Sequence, residues 1–167
     1  MKVFWTILFL AAITWAAPVF ATYCKVDTAE DKTTCTYKAD RIRKNTQITI
    51  SYTQQGWNMM IVVFLDDFAM IAGDAKVEIK DGEAHTLRYV STRRDITRGK
   101  MMEAALYMVD ESVLRELGRA KGKVHFYLAN TDAKEDVDIK VAANNFEDID
   151  AYIAETKTVL ASLFKEQ

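Results

Sequence analysis

The chain has 167 residues, half of them hydrophobic, and carries a formal net charge of −2 at pH 7. That length suits one ordinary domain with enough chain to bury a core unaided. The mildly acidic balance excludes a global attraction for nucleic acid or an anionic membrane, and the single proline, Pro18, leaves no proline-rich linker, low-complexity tract or repeat after it.

Residues 1–21 read as a cleavable export signal. Lys2 supplies the positive start, Val3 to Ala12 an apolar stretch broken only by Thr6, and Val19-Phe20-Ala21 a small-residue cleavage motif. The apolar core from Val3 to Ala17 is shorter than the roughly 20 residues of a spanning helix. Pro18 then ends it, so no integral anchor is expected after cleavage. Lipidation of Cys24 is not expected either, because Tyr23 and Ala21 stand where that chemistry wants a small and an aliphatic residue. The expected organisation is a leader over 1–21 and a single globular domain over 22–167, placed in the periplasm or, alternatively, secreted.

Cys24 and Cys35 are the only cysteines, and in an oxidising compartment such an isolated pair predicts a disulfide. Thr22 to Val26 and Thr33 to Tyr37 are rich in Thr, Tyr and Val, with a polar connector between them, so the pair should staple a hairpin across its two strands. Closing so small a loop contributes about 3 kcal/mol by chain-entropy reckoning. A redox role is not expected, since there is no Cys-x-x-Cys spacing to lower a thiol pKa.

Strand signals then run to about Val109. Ile48, Ile50 and Tyr52 alternate with Thr49, Ser51 and Thr53, the period of a strand with one buried face. Met59 to Leu65 is apolar throughout and predicts a central strand covered on both faces, with Gly56 and Trp57 in the preceding turn. Around Asp81-Gly82, a two-residue loop would set the apolar residues of the flanking strands on opposite faces. A three-residue loop over Lys80-Asp81-Gly82 pairs Val77 with His85 and Ala75 with Leu87, which restores one apolar face.

Asp110 reads as the N-cap of a short helix with a Val109/Leu114 staple, an apolar stripe through Val113, Leu117 and Ala120, and a stop at Gly122. Two more strands follow, through Val124, Phe126 and Leu128 and then Val137, Ile139 and Val141. Asn145 should cap a long terminal helix whose stripe of Phe146, Ile149, Ile153, Leu160, Leu163 and Phe164 is one-sided, placing it on the outer face of the sheet or along its edge. The predicted fold is α+β, mainly antiparallel β: a β-sandwich-like arrangement of about 7–9 strands with one short helix insertion and a long C-terminal helix.

Chemistry-bearing patterns are sparse. His85 and His125 are the only histidines, each in a predicted strand and not spaced as a ligand pair. His125 alternates with Val124 and Phe126 and so should face away from them, while Glu78 is the expected neighbour of His85. Asp66-Asp67 is the best acidic candidate for a cation, but with Gly73 and Asp74 it matches calcium-loop spacing poorly, and no metal or cofactor is expected. No Gly-x-Ser-x-Gly elbow or Gly-rich phosphate loop occurs. Arg88, Arg93, Arg94, Arg98 and Lys100, set against only Asp95, form a basic cluster around one predicted loop that would receive a carboxylate, a phosphate or an acidic partner surface.

From Gly73 onward the order of elements resembles the invasion-associated locus B family of exported bacterial proteins. The resemblance rests on a Gly-x-x-x-Val-x-Ile strand at Gly73 to Ile79, a helix before Val124-His125-Phe126, and a strand followed by Phe146 leading into a terminal helix. The chain departs from that family's pattern in lacking a mid-segment cysteine pair. The resemblance implies a β-sandwich in the periplasm or on the surface, associated with host interaction and without a known active site. The expected function is that of an exported, non-enzymatic interaction protein of the bacterial envelope, binding an envelope or host protein or an acidic ligand through a sheet edge or the basic cluster. The alternative is a small hydrolase or metal-dependent enzyme using His85, His125 or Asp66.

Overall fold

Alternating apolar and polar residues give the chain nine strands among its described residues, and every neighbouring pair is antiparallel. A computed structural model describes residues 23–27, 32–39, 42, 45–79, 84–97, 99–132 and 135–163. The leader, the Lys80-Asp81-Gly82 turn, Arg98 and Phe164 lie outside them. The strands are β1 (Cys24–Asp27), β2 (Lys32–Ala39), β3 (Thr46–Thr53), β4 (Gly56–Leu65), β5 (Ala75–Glu78), β6 (Ala84–Thr97), β7 (Lys100–Met108), β8 (Lys123–Leu128) and β9 (Val137–Ala142). Helix α1 (Glu111–Arg119) precedes β8, and a 3-10 turn (Ala143–Phe146) leads from β9 to α2 (Ile149–Leu163). The fold is α+β and mainly antiparallel β.

The strands join in one sheet of order β1-β2-β3-β4-β7-β6-β5-β8-β9. After the β1–β4 meander the chain skips two positions to β5 and returns through β6, so that β7 closes against β4. One face carries the core: Ile48, Ile50, Met59, Ile61, Leu87, Tyr107 and Phe126 are fully or almost fully buried, as are Leu114, Leu117, Phe146, Ile149, Tyr152 and Ile153 from the helical segments. The apolar run Met59 to Leu65 therefore packs on the core by its inner face, while on the outer face Val62 alone is buried, at 7% exposure. Met59 and Ile61 have no exposure while Met60, between them, has 36%. The outer-face residues of β4 stay apolar because they shelter one another laterally, Met60 lying opposite Leu106 and Phe64 opposite Met102 on β7.

The β5–β6 register pairs Val77 with His85 and Ala75 with Leu87, as the apolar-face argument requires. A bulge between Tyr89 and Ser91 then changes the phase of β6, so that Tyr89 faces Tyr107 while Thr92 and Arg94, rather than Ser91 and Arg93, continue the inner face.

Cys24 pairs directly with Cys35 across β1 and β2, and the two form a disulfide. Helix α2 packs along this edge of the sheet, one of the two places its one-sided stripe allowed, and does so on the inner side. The Tyr152 hydroxyl donates to the carbonyls of Cys35 (3.1 Å) and Ile50 (3.0 Å), and Glu155 accepts the N–H groups of Tyr23 and Cys24. Asn145 stands four residues ahead of the first residue of α2 rather than immediately before it. It lies buried in the 3-10 turn, its side chain donating to the Ala142 carbonyl and its own carbonyl accepting from Tyr37. The chain tightens there before α2 begins, and the Asp148 carbonyl instead accepts the Tyr152 N–H. Asp110 has the extended backbone of a cap residue but makes no side-chain capping bond, while Val109 and Leu114 are both buried.

Candidate functional site

The β3–β4 turn is held by its own side-chain hydrogen bonds. Gly56 takes φ +110°, which only glycine adopts at no cost. The Thr53 hydroxyl accepts from the Gln55 N–H and the Asn58 amide, and that amide also donates to the Gly56 carbonyl at 3.0 Å. On either side of the turn stand two aromatic rings: Tyr52, 40% exposed, meets buried Trp57 edge-on at 4.8 Å between centroids. Trp57 is backed in turn by Tyr152 at 5.6 Å.

The Trp57 indole donates to Glu111, the first residue of α1, at 3.3 Å. That carboxylate also receives Arg115 at 2.9 and 3.1 Å and Lys157 of α2 at 2.7 Å. Lys157 foremost, with Arg115 and the indole adding to it, holds the Glu111 carboxyl below the usual carboxylate range against the opposing effect of burial. Glu111 is thus a fixed negative charge that ties β4, α1 and α2 together.

A hollow opens on each side of the Trp57–Glu111 contact. One, of about 320 Å³, is lined by Gln55, Asp74, Thr86, Arg88, Met108 and Asp110. The other, wider and of about 930 Å³, is lined by Thr33, Tyr52, Gln54, Lys157 and Leu160. Both also touch Gly56, Trp57 and Glu111, so the two hollows adjoin and together make up the groove across the ends of β2, β3, β4 and β7 and the start of β6. Its floor is aromatic and its walls carry hydroxyl, amide, carboxylate and cationic groups. Asp74 is held by the Tyr89 N–H at 2.8 Å, and Arg88 has no hydrogen-bond or ion-pair partner among the described residues.

Of the basic residues, Arg88, Arg93 and Arg94 lie along β6 and Lys100 at the start of β7, and alternate strand positions point to opposite faces. Arg88 lines the groove. Arg93 is farther along the outer face. Arg94 turns inward to Glu103 (3.3 Å) and the Ile71 carbonyl (3.0 Å), and exposed Lys100 pairs with exposed Asp66 at 2.9 Å. Arg98 is outside the described residues.

The histidines also stand apart. His85 opposes Val77 and faces inward, its Nε2 2.8 Å from Glu116 of α1 without the alignment of a hydrogen bond. Glu78 is not its neighbour, because the register places Glu78 on the outer face, where it accepts from Tyr127 at 3.1 Å. His125 lies on that outer face as its alternation predicts, 3.3 Å from the Tyr127 hydroxyl and 3.5 Å from Asp138. His85, His125 and Asp66 therefore do not converge, and among the described residues no group of three or more His, Cys, Asp or Glu side chains is placed to hold a metal ion.

In the sequence Tyr52 reads only as part of a strand and Trp57 only as part of a turn, and Glu111 carries no signal. Trp57 is also the one tryptophan after residue 21. Among the described residues no helix is long and apolar enough to cross a membrane. Comparison with protein-family models, with curated proteins and with solved structures finds no match to this chain.

Proposed function

We propose that the protein is an exported, non-enzymatic binding protein of the bacterial envelope that takes its ligand in the groove around Trp57 and Glu111. The observation that carries this reading is the construction of the groove: an exposed aromatic ring over a braced floor, with polar groups locked on both sides. Such preorganisation lowers the ordering cost of binding. A catalytic reading fits less well. Glu111 is held charged by its donors, whereas an acid–base catalyst needs a pKa near the working pH. Export is supported by the leader and by the Cys24–Cys35 disulfide, a bond that persists in oxidising compartments. Periplasmic residence is favoured over secretion, and a host-facing role follows from the family resemblance.

Affinity capture tests the reading. The immobilised protein should retain material from its envelope fraction, and Tyr52→Ala should lose that material while keeping the wild-type melting temperature. Equal retention by the two proteins would overturn the groove as the binding site.

A further inference from the structure

We propose that the groove recognises a neutral oligosaccharide, an assignment that rests on the binding reading above and names its ligand class. A sugar ring offers a face of C–H groups and a rim of hydroxyls, each both donor and acceptor. Its receptor needs an aromatic surface flanked by donors and acceptors together. Tyr52 supplies the surface, held in place by its edge contact with Trp57. Thr33, Gln54 and Lys157 flank it in one lobe, and Gln55, Thr86 and Arg88 supply matching groups in the other.

The charge of the groove sets the class more narrowly. Glu111 is offset by Arg115 and Lys157, but around the smaller lobe the carboxylates of Asp74 and Asp110 still outnumber the one lining cation, Arg88, so an anionic ligand entering there meets a net negative charge. This disfavours the phosphate or acidic surface that the basic residues suggested in sequence. A neutral polyol meets no such repulsion, and can receive a bond from Arg88 while donating hydroxyl protons to Asp110. Lobes on both sides of the Trp57–Glu111 contact call for a chain of sugars lying across the strand ends rather than one ring. Each lobe falls within the roughly 300–1,000 Å³ of ordinary ligand sites.

After removal of the leader Trp57 is the only tryptophan, so its fluorescence reports directly on the groove. The processed protein is titrated to millimolar concentration with cellohexaose, chitohexaose and maltohexaose, and with hexagalacturonate as an acidic counterpart. Saturable binding of at least one neutral sugar, weakened about tenfold by Tyr52→Ala as expected for one lost ring contact and weakened also by Arg88→Ala, supports the proposal, provided both variants melt as wild type does. No neutral binding, or tighter binding of hexagalacturonate, overturns it. If the sugars fail but Tyr52→Ala still abolishes capture of envelope material, the sugar assignment falls and the binding groove stands. If Tyr52→Ala changes neither, both fall. A bound sugar that chromatography recovers shortened would contradict the non-enzymatic reading while leaving the sugar assignment intact.

Discussion

Glu103 of β7 and Arg94 of β6 face each other across the sheet at 3.3 Å, and the Glu103 side chain is completely buried. Its two oxygens also accept the N–H groups of Met70 and Ile71 at 2.8 Å each, and Arg94 closes the ring by donating to the Ile71 carbonyl. One carboxylate thus holds the β4–β5 loop onto the sheet, with Met70 at φ +51°, and sets the path of the chain toward Asp74 at the groove.

Glu103→Ala should destabilise the protein by about 3 kcal/mol, because it leaves Arg94 and two backbone donors without an acceptor. Arg94→Ala should cost about 1–2 kcal/mol, the smaller figure reflecting the partial exposure of its side chain. Arg93→Ala, on the open outer face, should stay within about 0.5 kcal/mol of wild type. Urea unfolding of the three variants checks the order.

Tyr152→Phe removes the donor shared by the Cys35 and Ile50 carbonyls and should cost about 1 kcal/mol. Reduction of the Cys24–Cys35 bond should cost about 3 kcal/mol. Because both act on the contact between α2 and the β1–β2 edge, a double-mutant cycle between Tyr152→Phe and the Cys-to-Ser pair should show coupling rather than additivity. Strict additivity would mean that the disulfide and the helix stabilise that edge independently.

Gly118→Ala should destabilise, against the ordinary gain from replacing a mid-helix glycine. A methyl group there would lie 2.8 Å from Ile149 Cγ2, so α1 and the start of α2 must separate, at a cost of about 1–3 kcal/mol. A raised melting temperature would show that the helices have room to part.

Stability should fall at both extremes of pH. The Glu111 carboxyl titrates below its ordinary value of 4.5 in the folded protein, so its contribution is present above that value and is lost as the pH falls through the lower folded one. Burial first, then the nearby Asp148 charge, pushes the Tyr37 phenol from 10.0 to about 12. Its contribution is complete below pH 10 and disappears as the pH climbs toward 12. Burial moves Tyr107 and Tyr152 in the same direction. Melting temperatures across pH should show Glu111→Gln flattening the acid limb and Tyr37→Phe making the alkaline limb shallower.

Elements that rest on local periodicity were legible in the sequence: β3, β8 and β9, the disulfide hairpin, and the β5–β6 register, which a single requirement for one apolar face was enough to decide. Positions set by long-range packing were not. An unbroken run such as Met59 to Leu65 looks the same whether one face or both are covered, and neighbouring Met and Leu side chains on β7 made the open face tolerable. The bulge after Tyr89 left no sequence signal, yet it decides that Arg94 turns inward and Arg93 outward, which sets these two members of the basic cluster on opposite faces. Glu111 and Trp57 lie 54 positions apart, and nothing local marks them as partners.

The most direct test of the central claim is amide chemical-shift mapping of the isotope-labelled protein titrated with the neutral hexasaccharides. The account predicts perturbations confined to the groove: Thr33, Tyr52 to Trp57, Asp74, Thr86 to Arg88, Asp110 to Glu111, Lys157 and Leu160. Perturbations centred instead on the outer face of β4 and β7, around Met60 and Leu106, or none at millimolar sugar, would contradict it.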